Sequence, residues 1–324
     1  MPEGSELSNE SSPDQGQWER ELVNRLAFSA LAEQRRTRRW GIFFKFAILA
    51  YLMALLVLYL PLGRLAPSAG EKHTALVEVS GVISDDSEAS ADNIVAALRA
   101  AFKDDDTAGV ILRINSPGGS PVQAGYVNDE IGRLRKKHPK IPLYAVITDM
   151  CASGGYYIAA AADRIYADKA SVVGSIGVLM NGFGFVGTME KLGVERRLLT
   201  AGESKGMLDP FSPANPAEVA HIEGVLNELH GQFIEVVKRG RGDRLTGGDE
   251  LFSGLVWSGE RSVELGLVDA LGSSSYVARE IIGVEEIRDF TPRRDLLERI
   301  ADRIGMAMAT SVSRSVGVGN LRLQ

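Results

Sequence analysis

Between residues 75 and 148, apolar stretches of strand length alternate with stretches of helical spacing. The apolar stretches cover residues 75–83, 108–115 and 141–148, and the helical spacing covers residues 91–102 and 123–137. Strands of a parallel sheet that is covered on both faces are apolar throughout, and helices connect them. The alternation therefore predicts an α/β domain with parallel sheets flanked by helices.

The same kind of pattern continues towards the carboxyl end of the chain. It predicts a helix over residues 154–162, an amphipathic helix over residues 216–238 and a last αβα unit over residues 250–282. Four short strand-like stretches are predicted at residues 164–168, 171–178, 182–187 and 194–200.

A longer apolar run covers residues 41–62 and contains one charge, Lys45. A helix of this length spans the hydrocarbon core of a bilayer, which is about 30 Å thick. The run therefore predicts one transmembrane helix. A buried core helix is the alternative. A cleaved signal peptide fits less well, because the run begins 40 residues into the chain and no Ala-x-Ala site follows.

Basic residues precede the apolar run and predict its orientation. Positively charged residues stay on the cytoplasmic side of a membrane, and the cluster consists of Arg35, Arg36, Arg38 and Arg39. We therefore expect a single-pass protein with a cytoplasmic amino terminus. The predicted segments are a tail with the basic cluster (1–40), the transmembrane helix (41–62), a linker (63–73), the folded domain (74–284) and a helical tail (285–324).

The composition excludes several classes of function. The net charge of −6 provides no overall basic field to hold nucleic acid. The four histidines lack metal-ligand spacing, so neither a metal nor a cofactor is expected. The single cysteine, Cys151, has no intramolecular partner. Nothing adjacent to it favours a thiolate, so we expect a small buried hydrophobe there.

Glycines follow three of the predicted strands. They lie in the segments NSPGG (115–119), CASGG (151–155) and GESKG (202–206). Open α/β sheets present their sites at the carboxyl ends of strands. The turn at residues 117–119 exposes backbone N–H groups that suit an oxyanion, although a plain strand-to-helix turn explains the same residues.

Ser153 lies where a predicted strand bends sharply into a helix. This arrangement is typical of a nucleophile elbow, in which the helix dipole and the next N–H stabilise developing negative charge. A serine that caps the helix would occupy the same position. The local sequence leaves both interpretations open.

A nucleophilic serine needs a base to accept its proton. No histidine lies between Ser153 and His221, and His221 and His230 fall on the amphipathic helix, where solvated or core roles are expected. A Ser/His/Asp triad is therefore unsupported. Lys205 lies in a glycine-flanked loop, and a lysine serves as a base when its surroundings favour the neutral amine. Taken alone, a lysine in a loop is a solvated surface charge.

Four segments together resemble the S49 serine peptidases of the signal peptide peptidase A type. They are NSPGG (115–119), DMCASGGYYIA (149–159), GSIGV (174–178) and GESKGMLDPF (202–211). The resemblance covers residues 74–280. One transmembrane anchor before a single copy of the domain is similar to the short bacterial form of this family.

The resemblance implies the fold of the Clp protease subunit and the crotonases, with a Ser/Lys dyad. Ser153 would be the nucleophile and Lys205 the base. The oxyanion hole would consist of the backbone N–H groups of Gly154 and Gly119. Ser175 would accept a hydrogen bond from the lysine amine and orient it.

The resemblance also implies what such a protein acts on. Remnant signal peptides and other hydrophobic peptides would be the substrates, and the enzyme would lie in the bacterial inner membrane with its catalytic domain in the periplasm. A homo-oligomer, for example an octamer, is implied, in which the dyad can form within one subunit or between neighbouring subunits. A crotonase-type acyl-CoA enzyme and an inactive membrane scaffold of the same fold are the alternatives.

Overall fold

The structure is a computed structural model that describes residues 38–55 and 70–292. Parts of the predicted amino-terminal tail, the end of the predicted transmembrane helix, most of the linker and most of the carboxyl-terminal tail lie outside the described residues. Residues 38–55 form helix α1, which includes residues 41–55 of the predicted span. Within the described ranges, no helix is both long enough and apolar enough to cross a membrane.

Residues 70–292 form the α/β domain. Its strands are β1 (His73–Ser80), β2 (Thr107–Ser116), β3 (Leu143–Ala152), β4 (Arg164–Ala167), β5 (Val172–Gly174), β6 (Val256–Ser258), β7 (Ala270–Leu271) and β8 (Ile287–Asp289). Its helices are α2 (Ala91–Lys103), α3 (Pro121–Lys137), α4 (Gly154–Ala159), α5 (Val186–Leu192), α6 (Pro216–Arg241), α7 (Gly259–Glu264) and α8 (Ser274–Tyr276), which continues as a π-helix over Val277–Ile282.

The strands form one sheet in the order β6-β5-β3-β2-β1-β8, and β4 and β7 branch from β3. Every pairing is parallel except that of β5 with β6. Residues 144–147 of β3 pair with β4, whereas residues 150–152 pair with β5. The predicted α/β class with a mostly parallel sheet is therefore confirmed, and the end of β3 projects beyond β4.

Helix packing follows from the spacing of apolar residues. In α2 the buried residues recur every three or four positions, at residues 91, 94, 97, 98, 101 and 102. The hydroxyl of Ser90 accepts a hydrogen bond from the N–H of Asn93 and so caps this helix at its start. Full burial of a side chain such as Leu98 contributes about 1.5–3 kcal/mol.

Two hydrophobic cores cover the two faces of the sheet. The larger core includes Leu98, Ile114, Ile131, Tyr156 and Val237, which come from the sheet and from α2, α3, α4 and α6. The smaller core joins side chains of β1, β2, β3 and β4 to Val277 and Ala278 of the π-helix. Helical elements thus cover both faces, as the apolar strands predict.

The predicted strands at residues 182–187 and 194–200 are wrong. Residues 186–192 form α5, and residues 194–200 have no regular structure. Both stretches are largely exposed, and neither pairs with another strand. A stretch that resembles a strand locally becomes one only where a partner strand satisfies its backbone groups.

The structure adds one strand to the domain near its carboxyl end. β8 pairs in parallel with the start of β1, with Thr74 opposite Ile287. Residues 287–289 belong to the segment assigned above to a helical tail, so that assignment is wrong for these residues. Their strand conformation depends on the edge of β1, which a helix prediction from local spacing does not take into account.

Candidate active site

Ser153 follows β3 directly and precedes α4. Its backbone has φ 50° and ψ −121°, which is unusual for a residue other than glycine. Its N–H donates to the carbonyl oxygen of Gly174 (2.9 Å), and its own carbonyl oxygen accepts from the N–H of Tyr157 (3.0 Å). Strand and helix therefore hold a strained turn in place.

The side chain of Ser153 makes no hydrogen bond to the amino end of α4. The helix-cap interpretation of this serine predicts such a bond and is therefore wrong. The hydroxyl is partly exposed and lines a cavity. Its backbone geometry is that of a nucleophile elbow, in which a strained strand-to-helix turn presents a hydroxyl.

The turn at residues 117–119 lies against this elbow. A Cβ atom on Gly118 would lie 2.7 Å from the Cβ of Ser153 and 2.8 Å from the nitrogen of Gly154. A Cβ atom on Gly119 would lie 2.1 Å from the carbonyl oxygen of Ile83. Both glycines also have positive φ angles, 101° and 151°. Close approach of two backbone segments therefore requires glycine at both positions.

This contact brings two free N–H groups together. A Cβ atom on Gly154 would lie 3.3 Å from the nitrogen of Gly119, so the two residues are neighbours across the turn. Among the described residues, the N–H groups of Gly119 and Gly154 have no acceptor. Two such donors beside a serine hydroxyl form the arrangement that binds an oxyanion.

Ser175 lies on the other side of Ser153. Ala152 and Gly174 are paired residues of β3 and β5, so Ser153 and Ser175 both follow directly from one strand pair. Ser175 also has a positive φ angle, 53°, and its N–H donates to the carbonyl oxygen of Leu255 (2.7 Å). The positive φ ends β5 at Gly174, which shortens the strand predicted over residues 171–178.

Four of the residues described above line one cavity of about 960 Å³. They are Ser153, Gly119, Gly154 and Ser175. Most of the other lining side chains are apolar or aromatic, and they include Pro121, Val122, Tyr126, Tyr157, Val178, Leu179 and Phe233. The cavity thus combines a serine hydroxyl and two backbone donors with a largely apolar wall, which is typical of a substrate site.

His230 also lines the cavity, from α6. Its Nε2 atom is buried and has no hydrogen-bond partner among the described residues. The sequence places this histidine on a helix at a distance of 77 residues from Ser153, and its spacing there gives no sign of a role in the site. Only the packing of α6 against α4 brings it into the lining.

Lys205 is not part of the cavity lining in the described chain. It is exposed, and its N–H donates to the carbonyl oxygen of Gly202 (3.1 Å). Residues 178–212, which we call the arm, carry it. The arm exposes large apolar side chains, with Leu199 96%, Phe183 81% and Leu179 79% accessible.

Local contacts hold the arm together. The rings of Phe185 and Phe211 are stacked at 5.5 Å, and Arg196 lies over Phe211 and binds Asp209 at 3.2 Å. The hydroxyl of Ser212 and then Arg196 lower the pKa of Asp209. The loop of Lys205 is therefore presented by an ordered segment whose apolar side chains remain exposed.

Cys151 is fully buried beneath the elbow. Burial raises the pKa of its thiol far above the ordinary range. The expectation of a small buried hydrophobe is confirmed, because a thiol that stays protonated is not a nucleophile.

Comparison with known proteins identifies the family. The model of peptidase family S49 matches residues 135–287, which include Ser153. A Brucella abortus protein named Na(+)/H(+) antiporter NhaA is 41% identical over 210 residues, which are 64% of this chain and 28% of that protein. Protease 4 of Haemophilus influenzae is 35% identical over 204 residues, 61% of this chain and 32% of that protein. The chain therefore spans less than a third of the length of these two relatives.

A third relative is covered more fully. An Enterococcus faecium protein, provisionally named signal peptide peptidase SppA, is 31% identical over 235 residues, which are 70% of this chain and 68% of that protein. Since more than two thirds of this relative is matched, and the family model covers the elbow, the chain belongs to peptidase family S49.

Proposed function

We propose that the chain is a membrane-anchored serine endopeptidase whose nucleophile is Ser153 and whose base is Lys205. One observation carries the proposal: the strained turn at Ser153 lies beside the free N–H groups of Gly119 and Gly154 in one cavity. Backbone strain of this kind persists only where the surrounding structure holds it, and such strained residues cluster at active sites. An elbow serine with two converging donors is the machinery of acyl transfer.

The chemistry follows from these groups. The neutral amine of Lys205 accepts the proton of Ser153 as Oγ attacks the peptide carbonyl carbon, and the N–H groups of Gly119 and Gly154 stabilise the oxyanion. The ammonium then gives its proton to the leaving amine as the C–N bond breaks. Water then attacks the acyl carbon as the lysine accepts a proton from it, and the lysine returns this proton to Oγ of Ser153 as the ester C–O bond breaks. Ser175, at the edge of the cavity, would orient the amine.

Lys205 would reach Ser153 from a neighbouring subunit. The arm exposes apolar side chains that a monomer leaves in water, and it carries Lys205 outside the cavity of its own chain. Large exposed apolar surfaces are typical of protein interfaces. A homo-oligomer, for example an octamer, would bury the arm and complete the dyad between subunits, in a Clp protease or crotonase type of fold.

Hydrophobic peptides are the proposed substrates, because most of the side chains that line the cavity beside Ser153 are apolar or aromatic. Remnant signal peptides have this character. The apolar run at residues 41–62 and the arginines before it support a single-pass anchor with a cytoplasmic amino terminus. The enzyme would then act on the periplasmic side of the bacterial inner membrane.

The experiment compares peptide hydrolysis by the full chain with that by Ser153→Ala and Lys205→Ala, all in the same detergent and at the same oligomeric state. Both substitutions should abolish hydrolysis. A serine-directed acylating inhibitor should label the wild type and not Ser153→Ala. Hydrolysis that persists in Lys205→Ala would exclude this lysine as the base.

Mixing the two inactive variants tests where the dyad forms. If Ser153 and Lys205 come from different subunits, hybrid oligomers regain part of the activity. If both come from one chain, the mixture stays inactive. Turnover of acyl-CoA thioesters without peptide hydrolysis would instead favour a crotonase-type enzyme, because paired N–H donors serve both reactions.

A further inference from the structure

A second cavity, of about 750 Å³, lies near the amino-terminal ends of β1 and β2. Its lining is strongly basic although the chain as a whole carries a net charge of −6. Six basic residues line it, Lys72, Arg99, Lys103, Arg133, Lys137 and Lys140, against two acidic residues, Asp104 and Asp105. An excess of positive charge is therefore concentrated at this edge of the sheet.

Part of this charge is neutralised inside the protein. Glu130 is buried and binds Arg99 at 2.6 Å and Arg133 at 2.7 Å. These two arginines, Arg133 first, lower the pKa of Glu130 to about 2, so its carboxylate stays charged at neutral pH. The arginines are thus held by a structural ion pair.

The lysines are the charges that remain available. Lys72 donates to the carbonyl oxygen of Asp105 (2.7 Å), which leaves its charge without a carboxylate. Lys103, Lys137 and Lys140 are exposed, and none of them forms an ion pair within the part of the chain that the structure describes. Four lysines therefore present positive charge to whatever lies against this surface. We call these four residues the lysine surface.

Helix ends explain only part of this surface. Lys103 and Lys137 are the last residues of α2 and α3, where a cation complements the helix dipole. Lys72 and Lys140 belong to no helix: one precedes β1 and the other precedes β3. Four segments thus contribute lysines to one edge of the sheet. The two helix dipoles account for Lys103 and Lys137 but not for Lys72 and Lys140.

The chain enters the domain at this same edge. The N–H of Gly70 donates to a carboxylate oxygen of Asp106 (3.1 Å), just before β2, and β1 begins at His73. Seven residues, 63–69, separate Gly70 from the proposed anchor at 41–62, and an extended chain covers at most about 3.6 Å per residue. If the chain is anchored as proposed above, these residues hold Gly70 within roughly 30 Å of chain from the end of the anchor.

We propose that the lysine surface docks on the anionic phospholipid headgroups of the bilayer that holds the anchor, and so fixes the orientation of the domain. Anionic headgroups attract lysines that lie close to a membrane surface, and the attraction falls off within a Debye length, about 8–10 Å in ordinary buffers. The lysines complement these headgroups in charge, and the anchor delivers them to the surface. The proposal rests on the proposed anchoring and is independent of the peptidase chemistry.

The test uses the full chain in nanodiscs of phosphatidylcholine alone or of phosphatidylcholine mixed with phosphatidylglycerol. Hydrogen–deuterium exchange is measured over residues 99–107 and 133–141. We expect slower exchange in the anionic nanodiscs and reversal of this protection at high salt. The double variant Lys103→Glu/Lys140→Glu should lose most of the protection, since each basic residue near an anionic surface contributes roughly a fivefold effect.

A matched control carries the same change in charge elsewhere. Lys169→Glu/Arg261→Glu alters two exposed residues near the carboxyl end of β4, where the N–H of Glu260 donates to the carbonyl oxygen of Lys169. This variant should keep the lipid-dependent protection. If both variants lose the lipid-dependent protection to the same extent, the protection depends only on net charge. That result would overturn the assignment to the lysine surface.

Further outcomes separate the sources of failure. Equal exchange rates in the two kinds of nanodisc would overturn the proposal. Protection of the same segments by inorganic phosphate in phosphatidylcholine nanodiscs would also overturn it, because the surface would then bind soluble anions. Carbonate extraction and peptide hydrolysis, measured on the same samples, report on the anchor and the peptidase activity separately. If the chain is extracted by carbonate, phosphatidylglycerol vesicles added to it replace the nanodiscs, and absence of protection there also overturns the proposal.

Discussion

The N–H of Ser153 donates to the carbonyl oxygen of Gly174 at 2.9 Å, and this bond connects the strained turn at Ser153 to the strand that precedes Ser175. The bond joins β3 and β5 at the point where β3 has already separated from β4. Ser153 and Ser175 both have positive φ angles at this junction. The site is therefore built from two strained residues that one strand pair holds side by side.

The strain at Ser153 gives a stability prediction that is independent of activity. Glycine adopts φ 50° without a steric penalty, whereas alanine does not. Ser153→Gly should therefore raise the free energy of unfolding by about 1 kcal/mol relative to Ser153→Ala. Chemical denaturation of the two variants in one detergent measures the difference. Both should lack hydrolytic activity, and equal stability of the two would mean that the turn is not strained.

Gly118 should tolerate no side chain. In Gly118→Ala the new Cβ would lie 2.7 Å from the Cβ of Ser153 and would push the turn away from Gly154. We expect kcat to fall by about 10²-fold or more, because the two N–H groups proposed as oxyanion donors would lose their alignment. Gly132→Ala is the control, since nothing lies within 4 Å of its Cβ position in α3. That variant should keep full activity and gain up to about 1 kcal/mol of stability.

His230 gives a prediction that tests the choice of base. With Lys205 as the base, His230→Ala should raise KM and leave kcat within about tenfold of the wild type, because an imidazole in the cavity wall would then contribute to substrate binding alone. Steady-state kinetics with one hydrophobic peptide gives both constants. A fall in kcat of about 10³-fold with KM unchanged would instead make His230 the general base.

Glu130 should make stability depend on pH in acid. Its pKa is about 2 in the folded protein against 4.5 for an unperturbed glutamate, so its stabilising effect is complete above about pH 4.5 and is lost as the pH falls through 2. Glu130→Gln should be less stable than the wild type at pH 7 by about 1–3 kcal/mol. The two proteins should become equal in stability near pH 2.

Urea unfolding of both proteins at several pH values checks this prediction. Glu264→Gln serves as the comparison, because the Arg261–Glu264 pair is exposed and such pairs contribute little. That variant should match the wild type at every pH. A constant difference between wild type and Glu130→Gln from pH 7 to pH 2 would show that the carboxylate charge is not what stabilises the Arg99–Glu130–Arg133 contact.

The sequence by itself determined the α/β class and the position of Ser153. Continuous apolar strands such as residues 108–115 and 141–148 predict a covered parallel sheet, since the pattern reflects burial on both faces. The small residues at 152–155 predict the bend, because few side chains fit there. Both features depend on residues that are close together in the sequence, so the sequence alone is enough to predict the strands and the bend.

Tertiary structure alone decided which groups meet at Ser153. Gly119 reaches Gly154 across 35 residues of sequence, and His230 reaches the cavity from α6, through packing that no local pattern encodes. The arm illustrates the same limit, because the sequence predicts a strand at residues 194–200 but these residues pair with no other strand of the sheet. Strand pairing and the convergence of polar groups depend on long-range contacts, which become defined only when the whole domain has folded.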